Sequence, residues 1–194
     1  MSDTKKLKFL CFHLGERLFA LDIMGIREIL RIQAVTPVPD APDNILGIVN
    51  VRGELITVLD ARAVFGIKAE EADRRDVRII IGVWSGIRFG LLVDLVLDVA
   101  TVDIDEINPA PTDATVGSVL GLFKRPGDGE GGVVVLLRLA ALAKLARGEK
   151  QGIPDLDLAA VSLAMETGQM DEHYGDGPEG GAKPPEPTMP GGGG

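Results

Sequence analysis

The sequence predicts a mainly β protein of barrel or sandwich type, and three observations carry that reading. The apolar stretches are short, five to eight residues rich in Ile, Val and Leu, where a helix would run longer. Turn signals punctuate them at regular spacing, at Gly15-Glu16, Arg52-Gly53, Ser85-Gly86 and Pro126–Gly131. No strand candidate is followed by the glycine pattern of a dinucleotide or P-loop site, so nothing recommends a parallel α/β sheet built around a nucleotide.

In chain order, Lys8–Leu14 alternates as a strand and Arg17–Asp22 returns as its hairpin partner. Ile23–Leu30 is ambiguous, because Ile23, Ile26 and Leu30 sit at helical spacing while Ile26–Ile29 can extend a strand. Ala34–Pro42 holds three prolines and reads as irregular edge chain, with Pro42–Asn44 opening one helical turn. The central feature follows: Leu46–Val51 and Leu55–Leu59, joined at Arg52-Gly53. Gly53 supplies the positive φ of a tight hairpin and leaves Arg52 at the tip. Both faces of the second strand are largely apolar, which predicts cover on two sides.

Ala61–Phe65 reads as a short helix stopped by Gly66, and Ile67–Arg75 as a charged loop. Val77–Trp84 and Ile87–Val93 form another hairpin, and Leu95–Val102 a further strand. Ile107–Val116 carries two prolines and reads as loop. Val119–Lys124 and Gly132–Leu137 make the last hairpin, and Leu139–Ala146 a helix capped by Gly148. A folded body over residues 1–148 is expected. An appended helix is expected in 149–168, on the weak pattern Leu156, Leu158, Val161, Leu163. The acidic Gly/Pro-rich tail, 169–194, has too little apolar area to offset ordering entropy.

Charge is placed unevenly. The net charge is −9, and residues 149–194 hold nine acids against two bases, so the body is nearly neutral. A neutral body with 4% aromatic residues lacks the basic footprint and stacking groups of a nucleic-acid binder. No apolar run is long enough to span a membrane, and the N-terminus predicts no signal peptide. Cys11 is the single cysteine, which excludes an internal disulfide and a cysteine-clustered metal site. A cytoplasmic protein fits all of this.

Catalytic chemistry has little to work with. His13 has no acid or cysteine at triad or ligand spacing, and it reads as a packed or surface residue. Cys11 lies two residues earlier on the same strand face, in an apolar run that favours a packed thiol over an activated one. Asp94, Asp98, Asp103 and Asp105 lack the glycine and terminal glutamate of a calcium loop and read as turn and strand-end residues. The 127–132 glycines would cradle phosphate only if the two acids among them were absent.

Several segments, in order, resemble the CheW family of bacterial chemotaxis adaptors. They are Gly47-Ile-Val-Asn-Val-Arg-Gly53, Val58-Leu-Asp60 with Arg62, Phe19–Ile23, Ile26–Ile29, Leu92–Val99 and Pro109–Pro111, and the likeness covers roughly Lys8 to Leu145. The resemblance implies two SH3-like five-stranded β-barrel subdomains sharing a hydrophobic core, with short helices and a C-terminal helix. It implies a non-catalytic scaffold without cofactor or metal. That scaffold couples the cytoplasmic tips of methyl-accepting chemoreceptors to the regulatory domain of a CheA-like histidine kinase, without itself entering the membrane. It places Ile26, Glu28, Arg52, Gly53, Asp76 and Val77 at the receptor contact and Val35 and Gly47 at the kinase contact. On spacing alone, Ile26 is a core residue, Glu28–Arg52 a solvated pair, and Gly47 a bulge or core contact.

Three positions depart from the family pattern. Thr57 stands where proline is usual and restores an amide donor; Asp76 replaces a small polar residue; Arg138 replaces an acid before the final helix. Two alternatives accompany this reading. One is a CheW-like adaptor for a non-flagellar output such as surface motility or development. The other, from a different class, is a small-ligand or enzymatic β-barrel, which would require a polar pocket of perturbed titratable groups.

Overall fold

The computed structural model describes residues 5–68, 75–110, 117–126 and 132–149. The expected appended helix and tail, from residue 150 onward, lie outside the described residues, as do most of the charged loop before Arg75 and of the loop after Pro109.

The chain opens with β1 (Lys6–Leu14) and β2 (Arg17–Asp22), paired antiparallel. The ambiguous stretch then divides. Asp22 accepts a hydrogen bond from the Met24 amide (2.9 Å), closing one 3-10 turn over Ile23–Gly25 before β3 (Ile26–Arg31) extends. Gly25 packs against Leu139, leaving no room for a side chain. Prolines keep the next segment out of a sheet except at Thr36, which exchanges two 2.8 Å backbone hydrogen bonds with Ile48. At Pro42–Asn44 the chain makes the single turn expected there, closed by the Ile45 amide donating to the Pro42 carbonyl (2.8 Å).

The central hairpin is β4 (Ile45–Val51) and β5 (Glu54–Asp60), and Thr57 continues the ladder opposite Ile48. Helix α1 (Ala61–Val64) begins at Asp60, whose side chain accepts from the Arg62 and Ala63 amides. There follow β6 (Arg78–Trp84), β7 (Ile87–Val93) and β8 (Leu95–Asp103). A two-residue β9 (Asn108–Pro109) adds a strand inside the expected loop by pairing with Gly121 and Leu122. The hairpin β10 (Val119–Lys124) and β11 (Val133–Leu137) precedes helix α2 (Leu139–Ala146).

Two sheets result, ordered β8-β1-β2-β11-β10-β9 and β3-β6-β7-β5-β4. The expected mainly β architecture is found, with six strands in the first sheet and five in the second. Neither sheet closes by hydrogen bonding among the described residues. Each sheet has one parallel pairing, β2 with β11 and β5 with β7, so the N-terminal hairpin joins the C-terminal half.

Strand burial explains the continuous apolar runs. In β1, Phe9 and Cys11 face the interior of the first sheet, while Leu10 and Phe12 face a core shared by both sheets. In β6, Ile79 and Ile81 face the second sheet's own interior and Ile80 the shared core. Strands covered on both faces need apolar residues at every position. The shared core is stacked through Phe12, Phe19 and Phe65 and sealed by α2. Asp103 and Asp105 do not share an extended face; a 3-10 turn over Ile104–Glu106 begins between them.

Candidate docking surface

The tip of the β4–β5 hairpin is the most constrained exposed feature. Val51 pairs with Glu54, and the two residues between them both have positive φ, +54° at Arg52 and +88° at Gly53. This is the mirror-image turn that matches strand twist, and it prefers Asn or Gly at both positions. Asn50 holds it by accepting the Gly53 amide at 2.8 Å. A left-handed arginine costs about 1 kcal/mol that glycine would avoid. The turn itself gives no reason for that choice, so Arg52 is explained by its side chain.

That side chain reaches back to Glu28, Nη2 to Oε2 at 3.1 Å, with Arg52 82% exposed and Glu28 29%. Glu28 is in position because of a bulge in β3. Ile26 lies opposite Gly82 and Glu28 opposite Ile81, so Arg27 is an extra residue that switches the strand's faces. Ile26 consequently packs on the shared core, while Glu28 turns toward the second sheet's interior. An open groove of about 430 Å³ lies there. Val51, Ile56 and Ile81 form its buried floor; Arg27, Glu28, Arg52, Glu54 and Arg88 form its rim. Arg88 and Glu54 are ion-paired across the strands. An apolar base with charge around it is an arrangement that can seat a partner and set its register. Arg52 keeps donors beyond the one given to Glu28.

The structure thus brings Glu28, Arg52 and Gly53 together and leaves Ile26 on the other face of β3. Asp76 is exposed and Val77 buried just before β6, outside the groove lining. Four residues of strand separate Val77 from Ile81, roughly 13 Å. Sequence reasoning missed Arg27, Glu54 and Arg88. For Glu54 the available signal was a charge directly following the tip glycine.

Val35 and Gly47 also meet. Gly47 sits at a bulge in β4, with Ile45 opposite Leu59 and Gly47 opposite Val58, and has φ +148°. A Cβ there would collide with the Thr36 carbonyl oxygen and lie 2.8 Å from Val35 Cγ1. The close approach that glycine permits is therefore by the chain's own 35–36 segment, held by the Thr36–Ile48 bridge.

Away from these faces, Arg62 and Asp94 form a largely buried pair. Arg62 Nη2 lies 2.7 Å from Asp94 Oδ2 and Nε lies 2.9 Å from both oxygens, while the Gly15 amide donates to the same carboxylate at 2.6 Å. Asp94, at the β7–β8 junction, thereby ties both the β1–β2 turn and α1 to one carboxylate. Cys11 is fully buried, and burial pushes its thiol pKa up, which suits packing and not thiolate chemistry. His13 is half-buried, and its Nδ1 has no hydrogen-bond partner. Among the described residues no group of three or more His, Cys, Asp or Glu is placed to hold a metal, and no helix is long and apolar enough to cross a membrane.

A family model for the CheW-like domain matches residues 8–147. The chain belongs to the CheW-like domain family. It is 39% identical to the chemotaxis protein CheW of Rhizobium meliloti over 108 residues, 56% of this chain and 69% of that protein. It is 30% identical to CheW of Klebsiella aerogenes over 153 residues, 79% of this chain and 89% of the other. The crystal structure of the scaffolding protein TtCheW from Thermoanaerobacter tengcongensis superposes with a TM-score of 0.63 at 33% identity, covering 69% of this chain and 90% of that one. The family match ends at residue 147, one residue past the end of α2.

Proposed function

We infer that this CheW-family protein is a chemotaxis scaffold that couples the cytoplasmic tips of chemoreceptors to a CheA-type histidine kinase. The observation that carries the reading is the Arg52 tip, strained in the left-handed region and aimed over an apolar groove, within a domain matched by the family model along its length. The receptor contact is assigned to Glu28, Arg52 and Gly53, with Arg27 and Arg88 on the same rim. Ile26 supports it from beneath β3. Asp76 and Val77 take part if the receptor helix extends past the groove by roughly 13 Å, about nine residues at 1.5 Å each. The kinase contact is assigned to the strap at Val35, with Gly47 as the residue that positions it.

The protein works by placement and not by catalysis. It stays cytoplasmic, joins membrane-associated arrays through the receptors, and needs no nucleic acid, cofactor or insertion of its own. Contacts of micromolar strength, about −8 kcal/mol each, become durable when linked in a lattice.

Co-sedimentation with chemoreceptor-bearing membranes, with and without CheA, tests this. Arg52→Glu should abolish kinase recruitment to the membranes while leaving circular dichroism and melting unchanged. Full receptor binding by a folded Arg52→Glu protein would remove the receptor assignment.

A further inference from the structure

We propose that residues 154–159 of this chain, Pro-Asp-Leu-Asp-Leu-Ala, add as a strand along β3 and compete there with the receptor. The competition, though not the pairing, rests on the adaptor reading.

β3 is the outer strand of the second sheet and pairs only with β6, so half its backbone groups face outward without a backbone partner among the described residues. The opposite edge, β4, is covered at Ile48 by the Thr36 bridge. Edges left open are ordinarily guarded, because they template pairing with another strand. Here Ile29 and Ile32 are exposed at 41% and 46%. Arg27 and Arg31 are exposed, and neither makes an ion pair among the described residues. Arg31 lies directly opposite Arg78, whose guanidinium donates to the Arg75 and Val77 carbonyls. Glu28 is engaged by Arg52, and Asp76 is the nearest exposed acid in sequence to this arginine pair. The edge calls for an extended, acidic partner.

The chain beyond α2 supplies one. Residues 151–182 contain no lysine or arginine, and Asp155-Leu156-Asp157-Leu158, inside the stretch expected as an appended helix, alternates acid and leucine with the two-residue period of a strand instead. Laid on β3 with the aspartates on the face of Ile29 and Arg31, the leucines fall on the face of half-buried Leu30. A slip of one residue would invert both sets, so the register is specified. Pro154, lacking an amide, is tolerated as the first residue of an edge strand. The tether is long enough. Leu139, the first residue of α2, packs against Gly25, immediately before β3. From there to Gly148 the rise is at most about 14 Å, and residues 149–153 can span about 17 Å. Tethering at this length gives a local concentration on the order of millimolar. Because β3 also carries Ile26 and Glu28, an added strand there sits against the receptor-facing residues.

The test is native-state hydrogen exchange of the full-length protein beside the full-length Asp155→Lys/Asp157→Lys variant. Outward amides of β3 should exchange about tenfold slower in the unaltered protein, and adding Arg31→Glu to the reversed tail should recover protection by charge exchange. Equal exchange in the two proteins overturns the proposal. Protection that grows with protein concentration assigns the strand to a second copy and overturns it as well. On receptor membranes the reversed-tail variant should bind severalfold tighter, and equal affinity would defeat the competition. If neither folded protein binds receptor, the adaptor reading fails and exchange alone decides the pairing.

Discussion

Gly47→Ala is the substitution whose cost the structure defines most sharply. Gly47 has φ +148°, and the added Cβ would enter the Thr36 carbonyl while pressing Val35 Cγ1 at 2.8 Å. The obstacle is backbone, so no rotamer change relieves it. Either β4 straightens its bulge or the 35–36 strap lifts off. Lifting loses the two 2.8 Å hydrogen bonds between Thr36 and Ile48, worth about 1 kcal/mol each. Lifting the strap alone still holds alanine at φ +148°, a sparsely populated region that costs about 1–3 kcal/mol. The two terms together predict a loss of about 3–5 kcal/mol, read by urea denaturation with an unchanged m-value. Gly53→Ala is the control: its φ is +88°, but nothing lies within 4 Å of the added Cβ, so only the backbone term of about 1–2 kcal/mol applies. If Gly47→Ala costs no more than Gly53→Ala, the close approach of the strap is not what requires glycine, and the positioning role given to Gly47 falls with it. CheA binding should drop for Gly47→Ala, and receptor binding should not.

Three further outcomes follow from the same geometry. Arg62→Ala strands a carboxylate of 16% exposure at Asp94 and should cost about 3 kcal/mol, and Asp94→Asn should cost less because the amide oxygen still accepts from Arg62, whose guanidinium also donates to the Lys68 carbonyl; equal costs in denaturant would refute the pairing account. Cys11 is neutral and buried with a raised pKa, so the unfolded chain loses its thiol proton first as pH rises. Stability should therefore fall with pH above about 8.5, a slope that Cys11→Ala should lack; identical pH profiles of the two proteins would show that the thiol does not contribute. Asn50→Ala removes the acceptor for the Gly53 amide, should destabilise by about 1 kcal/mol, and should weaken receptor binding through a looser Arg52; unchanged affinity would mean that the tip needs no such support.

Much of the fold was legible because two-sided burial leaves a plain trace. The expected bounds of β2, β7, β10 and α2 match those observed, each being an apolar run closed by a turn residue or glycine. What the sequence concealed depends on partners far along the chain. The parallel pairings of β2 with β11 and β5 with β7 decide which strands share a sheet, and no local pattern encodes them. The bulges at Arg27 and Leu46 are mismatches between two strands and so are invisible in either alone. For the candidate site, Glu28 and Arg52 came from the family resemblance, which also brought Ile26, now seen on the opposite face of β3. Arg88 was missed because it reaches the rim only through the stacking of β7 beside β5.

The two faces proposed for partners share one strand, β4. β4 carries Gly47 near one end and runs to the Arg52 tip at the other, five residues or roughly 17 Å away. Its inner face, through Val49 and Val51, is buried in the second sheet's interior, and its outer edge is clamped by Thr36. A strand held in this way cannot slide without inverting its buried and exposed sets. The two contacts proposed at its ends would therefore be fixed in mutual distance and orientation. Sites so far apart with no shared partner should contribute almost additively, which puts the proposed scaffold role in geometry. The movable element belongs at the β3 edge, where the tail strand proposed above and the receptor would exchange.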